Sequence, residues 1–179
     1  KLDAGCVVIG AGVIPDVTLA KAAGLDIGES GGVVCSSRLE TSAPGIYAAG
    51  DICEYDSVVH GRRLRIEHWD VAFNMGKTAA YNMLGRDIPH EDVPYFFSDL
   101  ADWASSEYVG PGSGDPVIRG SMDDGEFAAF YVDSDSGAVT AALSVGRSDD
   151  LEHARRFIKE KTAPDREKLA DTETDLGTL

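Results

Sequence analysis

Between Thr41 and Cys53 the chain reads TSAPGIYAAGDIC. Pro44 and Gly45 specify a turn, and the apolar run Ile46 to Ala49 has the length of a short buried strand. Gly50 ends that run and lets the backbone pass close to a neighbour, with Asp51 next in line. The pattern predicts an acidic side chain at the carboxyl end of a buried strand, the place where open parallel sheets bind ligands. A carboxylate there accepts hydrogen bonds from sugar-type hydroxyls, which an apolar residue cannot do. A Gly-Asp pair also serves simply to cap a turn, and these residues alone leave both uses open.

A second glycine-rich stretch, GCVVIGAG at Gly5 to Gly12, is a β-branched run followed by a Gly-rich turn and predicts a strand and turn. It lacks the third glycine of a pyrophosphate-binding loop, because Pro15 stands where close helix-to-strand packing needs glycine. Pro15 halts the strand, Asp16 can cap a helix, and Leu19, Ala20, Ala22 and Ala23 make a small-residue helix that Gly24 ends. Gly28 to Gly32 is a turn cluster, after which Val33 to Cys35 with Leu39 and Glu40 reads as a strand pair. A hairpin around Gly61 leads to Val71, Met75, Thr78, Ala79 and Met83, whose spacing predicts a helix over 70–84 closed by Gly85.

Asp87 to Pro94 is polar and proline-bounded, which predicts a linker. Pro94 then opens an aromatic strand running to Leu100. Val117 to Ser121, Glu126 to Val132 and Ala138 to Val145 predict an antiparallel meander, and Asp149 to Lys161 an amphipathic helix. The tail from Thr162 to Leu179 is charged and weakly periodic, so partial order is expected there.

With 31 acidic against 16 basic residues the formal net charge is −15, a surface that repels nucleic acid and anionic membrane. No apolar run approaches the roughly 20 residues that span a bilayer, so a cytoplasmic protein is expected. Cys6, Cys35 and Cys53 lack metal-ligand or disulfide spacing, and each is expected to be a small core residue. His60, Arg62, Arg63 and Arg65 run against the overall sign. They read either as a solvated hairpin tip or as a docking patch for an acidic redox partner.

The string T-S-x-P-G-I-Y-A-A-G-D resembles the second flavin-binding motif of the two-dinucleotide-domain flavoprotein reductases. In these enzymes the aspartate holds the ribityl chain of FAD, which implies Gly50, Asp51 and Ile52 as cofactor residues. The pattern G-x-G-x-x-P-D, carrying Gly10, Gly12 and Pro15, is similar to the closing strand and turn of their NAD(P)H domain. The stretch I-E-H-W-D-x-A resembles the flavin-facing turn of ferredoxin reductases and of the apoptosis-inducing-factor family. It implies that Glu67, His68 and Trp69 line the flavin and nicotinamide site, next to a helix start whose partial positive charge suits the flavin pyrimidine edge. Tyr95-Phe96-Phe97-Ser98-Asp99 resembles the motif opening the family's last domain, with Phe97 where a ring packs near the isoalloxazine.

The implied fold is an α/β fragment of a two-dinucleotide-domain flavoprotein reductase followed by a small α+β interface domain with an antiparallel sheet. The expected divisions are the end of an NAD(P)H-binding domain at 1–28, the second half of an FAD-binding domain at 29–88, an interface domain at 89–162 and a tail at 163–179. Neither G-x-G-x-x-G fingerprint occurs, so both are expected upstream, and the chain reads as a carboxy-terminal fragment that is inactive alone. The implied activity is FAD-dependent NAD(P)H oxidation with electrons passed to a ferredoxin-like iron-sulfur protein or a quinone, without an acid or base side chain in the hydride step. The alternative is a flavin-free dimerisation or docking module, and a homodimer is compatible with either.

Overall fold

The computed structural model describes all 179 residues. The first sixteen form no strand or helix, and Val7, Val8 and Ile9 are 75%, 92% and 82% exposed. The strand predicted from GCVVIGAG is therefore absent. A strand needs a neighbour for its N–H and C=O groups, and no other part of this chain pairs with it. Cys6, expected in a core, is exposed for the same reason, whereas Cys35 and Cys53 are buried as expected.

Order begins at Asp16, whose carboxylate accepts from Thr18 N at 3.0 Å at the start of α1 (Thr18–Ala22). Gly24, at φ 73°, ends the helix, and Leu25 N reaches back to the Ala20 carbonyl at 3.0 Å. Three strands follow in the order β1 (Val33–Cys35), β2 (Cys53–Ser57), β3 (Arg62–Leu64). β1 and β2 are parallel, and β2 and β3 form the hairpin predicted around Gly61. The Ile46 to Ala49 run joins no ladder; its one bridge is Glu40 to Tyr47, so the strand expected there is also corrected, again for want of a neighbour. Leu39 and Glu40 make isolated contacts rather than a strand.

Helix α2 (Trp69–Met83) lies within a residue of its predicted span and is followed by Gly85 at φ 80°. Its Val71, Met75 and Ala79, one turn apart, pack with Val33, Cys35, Leu39, Cys53 and Tyr55 in the first core. The predicted linker is anchored rather than free. The Asn82 amide donates to the Arg38 and Ile88 carbonyls and accepts from Ile88 N, each at 2.8 Å, and His90 N donates to Ser37 O at 2.8 Å. His90 and Val93 are consequently buried.

The second core rests on an antiparallel sheet in the order β4-β5-β8-β7-β6: β4 (Tyr95–Leu100), β5 (Ala104–Val109), β6 (Asp115–Ser121), β7 (Glu126–Val132) and β8 (Val139–Val145). The meander strands match their predicted spans closely. β5 was not predicted, because ASSEYV is mostly polar and buries only Val109. Pro116 is tolerated because β6 is an edge strand. Helix α3 (Ser148–Glu160) lays Leu151, Ala154, Phe157 and Ile158 against Val109, Phe130 and Ala142.

The tail is ordered throughout. Asp165 caps α4 (Arg166–Ala170), and Leu169 and Leu176 enter the second core. Arg119, on β6, holds it there: its side chain is only 6% exposed, Nη2 donates to the Thr172 and Thr174 carbonyls at 3.3 and 3.0 Å, and Nη1 to that of Asp171. Its Nε faces Asp150 Oδ2 at 3.4 Å as an ion pair without hydrogen-bond geometry. Charge patterning could not reveal this, since one guanidinium satisfies three carbonyls that are identical in every sequence. Arg119→Ala is expected to cost about 3 kcal/mol, because it leaves three carbonyl acceptors without their donor, while Asp150 keeps Arg147 Nε at 2.6 Å. Urea unfolding and amide exchange over 166–178 measure this; an unchanged midpoint with full tail protection refutes the clamp.

Candidate functional site

The Gly50-Asp51 turn and the start of α2 lie side by side. Gly50 adopts φ 80°, which favours glycine, and a Cβ there would meet the Ala72 Cβ at 3.4 Å, in van der Waals contact with the first turn of α2. Cys53 N closes the turn onto the Gly50 carbonyl at 2.9 Å. Asp51 is exposed and Ile52 packs at the edge of the first core.

Arg65 ties this turn to the segment entering α2. Its Nη1 donates to the Asp51 carbonyl at 3.0 Å and to Glu67 Oε1 at 2.6 Å. A Cβ at Gly32 would lie 2.7 Å from the Arg65 Cδ, so that glycine clears the path of the side chain. Arg65 was missed as a structural clip; its place two residues before Glu67 on an extended segment was the available signal. The basic cluster is likewise not a free patch. Arg63 pairs with Asp56 at 2.9 Å, Arg65 is spent on Glu67, and Arg62 donates to the Pro111 carbonyl at 3.1 Å.

His68 precedes α2 in an extended conformation, and no side chain caps the helix. The first-turn amides therefore face outward with the positive end of the helix dipole behind them. The His68 ring lies 4.6 Å from that of Phe96, and its Nδ1 is buried with no partner. Burial lowers the His68 pKa, against the opposing charges of Asp51, Asp70 and Glu67. Trp69 is 74% exposed and stacks on Phe73 at 5.4 Å, with Lys77 Nζ 4.1 Å from the Phe73 centroid.

Of the predicted residues, the structure brings Gly50, Asp51, Ile52, Glu67, His68 and Trp69 together around one turn and one helix start. Phe96 meets the His68 ring; Phe97, 56% exposed, alternates to the other face of β4. Phe96 was missed because three consecutive aromatics do not declare which of them turns inward. Gly10 and Gly12 lie in the exposed opening segment with open space around them, while Pro15 lies close to Gly31.

The sequence profile of the pyridine nucleotide-disulphide oxidoreductases matches residues 1–76, and that of the reductase C-terminal domain matches residues 95–179. The chain belongs to the pyridine nucleotide-disulphide oxidoreductase family. Within it, the chain is 37% identical over 180 residues to the ferredoxin–NAD(+) reductase component of the anthranilate 1,2-dioxygenase system of Burkholderia cepacia, covering 99% of this chain and 43% of that protein. Among solved structures, it superimposes on a ferredoxin reductase from Rhodopseudomonas palustris with a TM-score of 0.85 and 33% identity, over 94% of this chain and 41% of the other. It superimposes on the reductase of the covalent putidaredoxin reductase–putidaredoxin complex with a TM-score of 0.86 and 30% identity, over 98% and 42%. This family member thus spans less than half the length of the relatives it matches. No helix in it is long and apolar enough to cross a membrane.

Three imidazoles give the fold a common response to acid. Burial lowers the pKa of His68 and His90, and burial with neighbouring Arg62 and Lys161 lowers that of His60 to about 4. Between that value and the unperturbed 6.5 the unfolded chain binds more protons than the folded one. Stability is therefore expected to fall steadily from pH 6.5 towards pH 4. Urea midpoints across this range test it, and His90→Gln should flatten the slope. A midpoint independent of pH in this window contradicts the assignment.

Proposed function

We propose that this chain contributes half of the flavin site of an FAD-dependent NAD(P)H oxidoreductase that delivers electrons to a ferredoxin-type iron-sulfur protein. The observation that carries this reading is the juxtaposition of the Gly50-Asp51 turn and the uncapped start of α2, tied by Arg65 Nη1 to the Asp51 carbonyl at 3.0 Å and to Glu67 Oε1 at 2.6 Å. Two buried nitrogens beside it, His68 Nδ1 and Arg65 Nε, have no hydrogen-bond partner, which supports a polar ligand at this place. When bound, FAD supplies the two-electron to one-electron conversion that links a hydride donor to an iron-sulfur acceptor.

The residues of this chain hold and tune that chemistry. The Asp51 carboxylate is exposed and placed to accept from ribityl-type hydroxyls, a role that neutral asparagine would fill less strongly. Residues 69–71 turn their amides and the helix dipole toward an electron-rich ring edge, which favours the charge that reduction brings. Glu67 is held by Arg65 rather than free to take a proton, consistent with a site that orients rings and needs no acid or base side chain. Trp69 offers an exposed ring beside the helix start, and Phe97, Gly10, Gly12 and Pro15 are assigned to the flavin and nicotinamide site on the family pattern alone.

A ferredoxin-type partner is favoured over a quinone because the reductases reported above are named for such partners. With Arg63 paired to Asp56 and Arg65 to Glu67, only Arg62 keeps an unpaired charge, which gives no support to a docking patch made of Arg62, Arg63 and Arg65 together.

In the full-length protein, Asp51→Ala is expected to weaken FAD retention by about a hundred-fold, the loss of one or two charge-assisted hydrogen bonds. Flavin absorbance per protein after desalting reads this directly. Stoichiometric flavin with unaltered affinity overturns the role given to Asp51.

A further inference from the structure

A cleft of about 480 Å³ opens where the β2–β3 hairpin meets the second core. His60 and Arg62 line it from the hairpin, Lys161 from the end of α3, Ser113 and Ser136 from the loops of the sheet and Thr140 from the start of β8. None of the lining residues is acidic, although the chain carries a formal net charge of −15. Asp133 is absorbed elsewhere, accepting from Ser136 N at 2.8 Å and Ser136 Oγ at 2.7 Å.

Each basic group keeps unused hydrogen-bonding capacity. His60 Nε2 is buried with no partner. Arg62 spends Nη2 on the Pro111 carbonyl at 3.1 Å and makes no ion pair, and Lys161 makes none either. Lys161 does complement the negative end of the α3 dipole from its C-cap position, but that role requires neither Arg62 nor an unpartnered imidazole. Arg62 and Lys161 line the same cleft as the ring, and after burial they are the further causes that lower its pKa. Like charges gathered around a buried polar atom cost free energy that an oxyanion would return.

We propose that this cleft binds a phosphate-type oxyanion, with Arg62 and Lys161 supplying charge and His60 Nε2 the buried hydrogen bond. Val59, Val139 and Ile158 form an apolar wall beside it, and the volume exceeds many times the roughly 30 Å³ of one water. Room therefore exists for the anion free or carried on a small molecule. The site joins the hairpin to the sheet domain and is independent of the flavin reading, because none of its residues belongs to the Asp51 turn or to α2.

The test follows the His60 imidazole by NMR in the whole chain while inorganic phosphate is titrated at constant ionic strength made up with chloride. A saturable shift is expected, with the imidazole titration midpoint rising from about 4 because a bound anion stabilises the charged ring. Arg62→Gln and Lys161→Asn, the latter compatible with the left-handed backbone at 161, should each weaken binding about ten-fold. Lys159→Gln on the same helix serves as a control and should bind as the parent does. A parallel titration with glycerol 3-phosphate separates the sources: tighter binding than inorganic phosphate points to an ester, equal binding to the free ion. No saturable response, or equal losses in the cleft variants and in Lys159→Gln, overturns the proposal.

Discussion

The burial of one helical stripe, Val71-Met75-Ala79, against the parallel pair β1 and β2 sets the position of everything around the candidate site. Those side chains seat α2, and seating α2 places its uncapped start beside Gly50. Each fully buried aliphatic or methionine side chain contributes on the order of 1.5–3 kcal/mol, far more than any single exposed polar contact at the site. Apolar packing thus holds a constellation whose function is polar. Gly50 is the point at which the two requirements meet, since its φ of 80° makes the turn that brings the backbone against Ala72 of the helix.

Around that core the chain uses few, well-satisfied polar clips. Asn82 brackets the turn after α2, Arg65 ties the Asp51 turn to the α2 entrance, and Arg119 gathers three tail carbonyls. All three join segments far apart in sequence to backbone groups. Backbone acceptors carry no sequence signature, and such clips can therefore be recognised only after folding. The arginines of the β3 region show the same effect on electrostatics: of a cluster that looks like one surface field, Arg63 and Arg65 become local pairs once Asp56 and Glu67 come into reach, and only Arg62 keeps an uncompensated charge.

Parts of the reading that depend on local order carried through. Periodicity placed α2 and α3 within a residue or so, glycines marked helix ends, and alternation placed β6, β7 and β8. Parts that depend on a neighbour did not. The runs at Val7 to Ile9 and Ile46 to Ala49 have strand composition, yet neither joins a ladder, because a strand is a property of a pair. β5 is the converse, a polar segment made into a strand by β4 and β8 on either side.

By itself the sequence determined the kinds of element, the glycines where the backbone must turn or approach, and the family string around Asp51, because these rest on short-range sterics and spacing. Only the tertiary structure decided which aromatic turns toward His68, which cations remain unpaired and which loops are anchored. Those outcomes depend on which groups distant in sequence come within a few ångströms, where packing and charge act and where linear order holds no distance information.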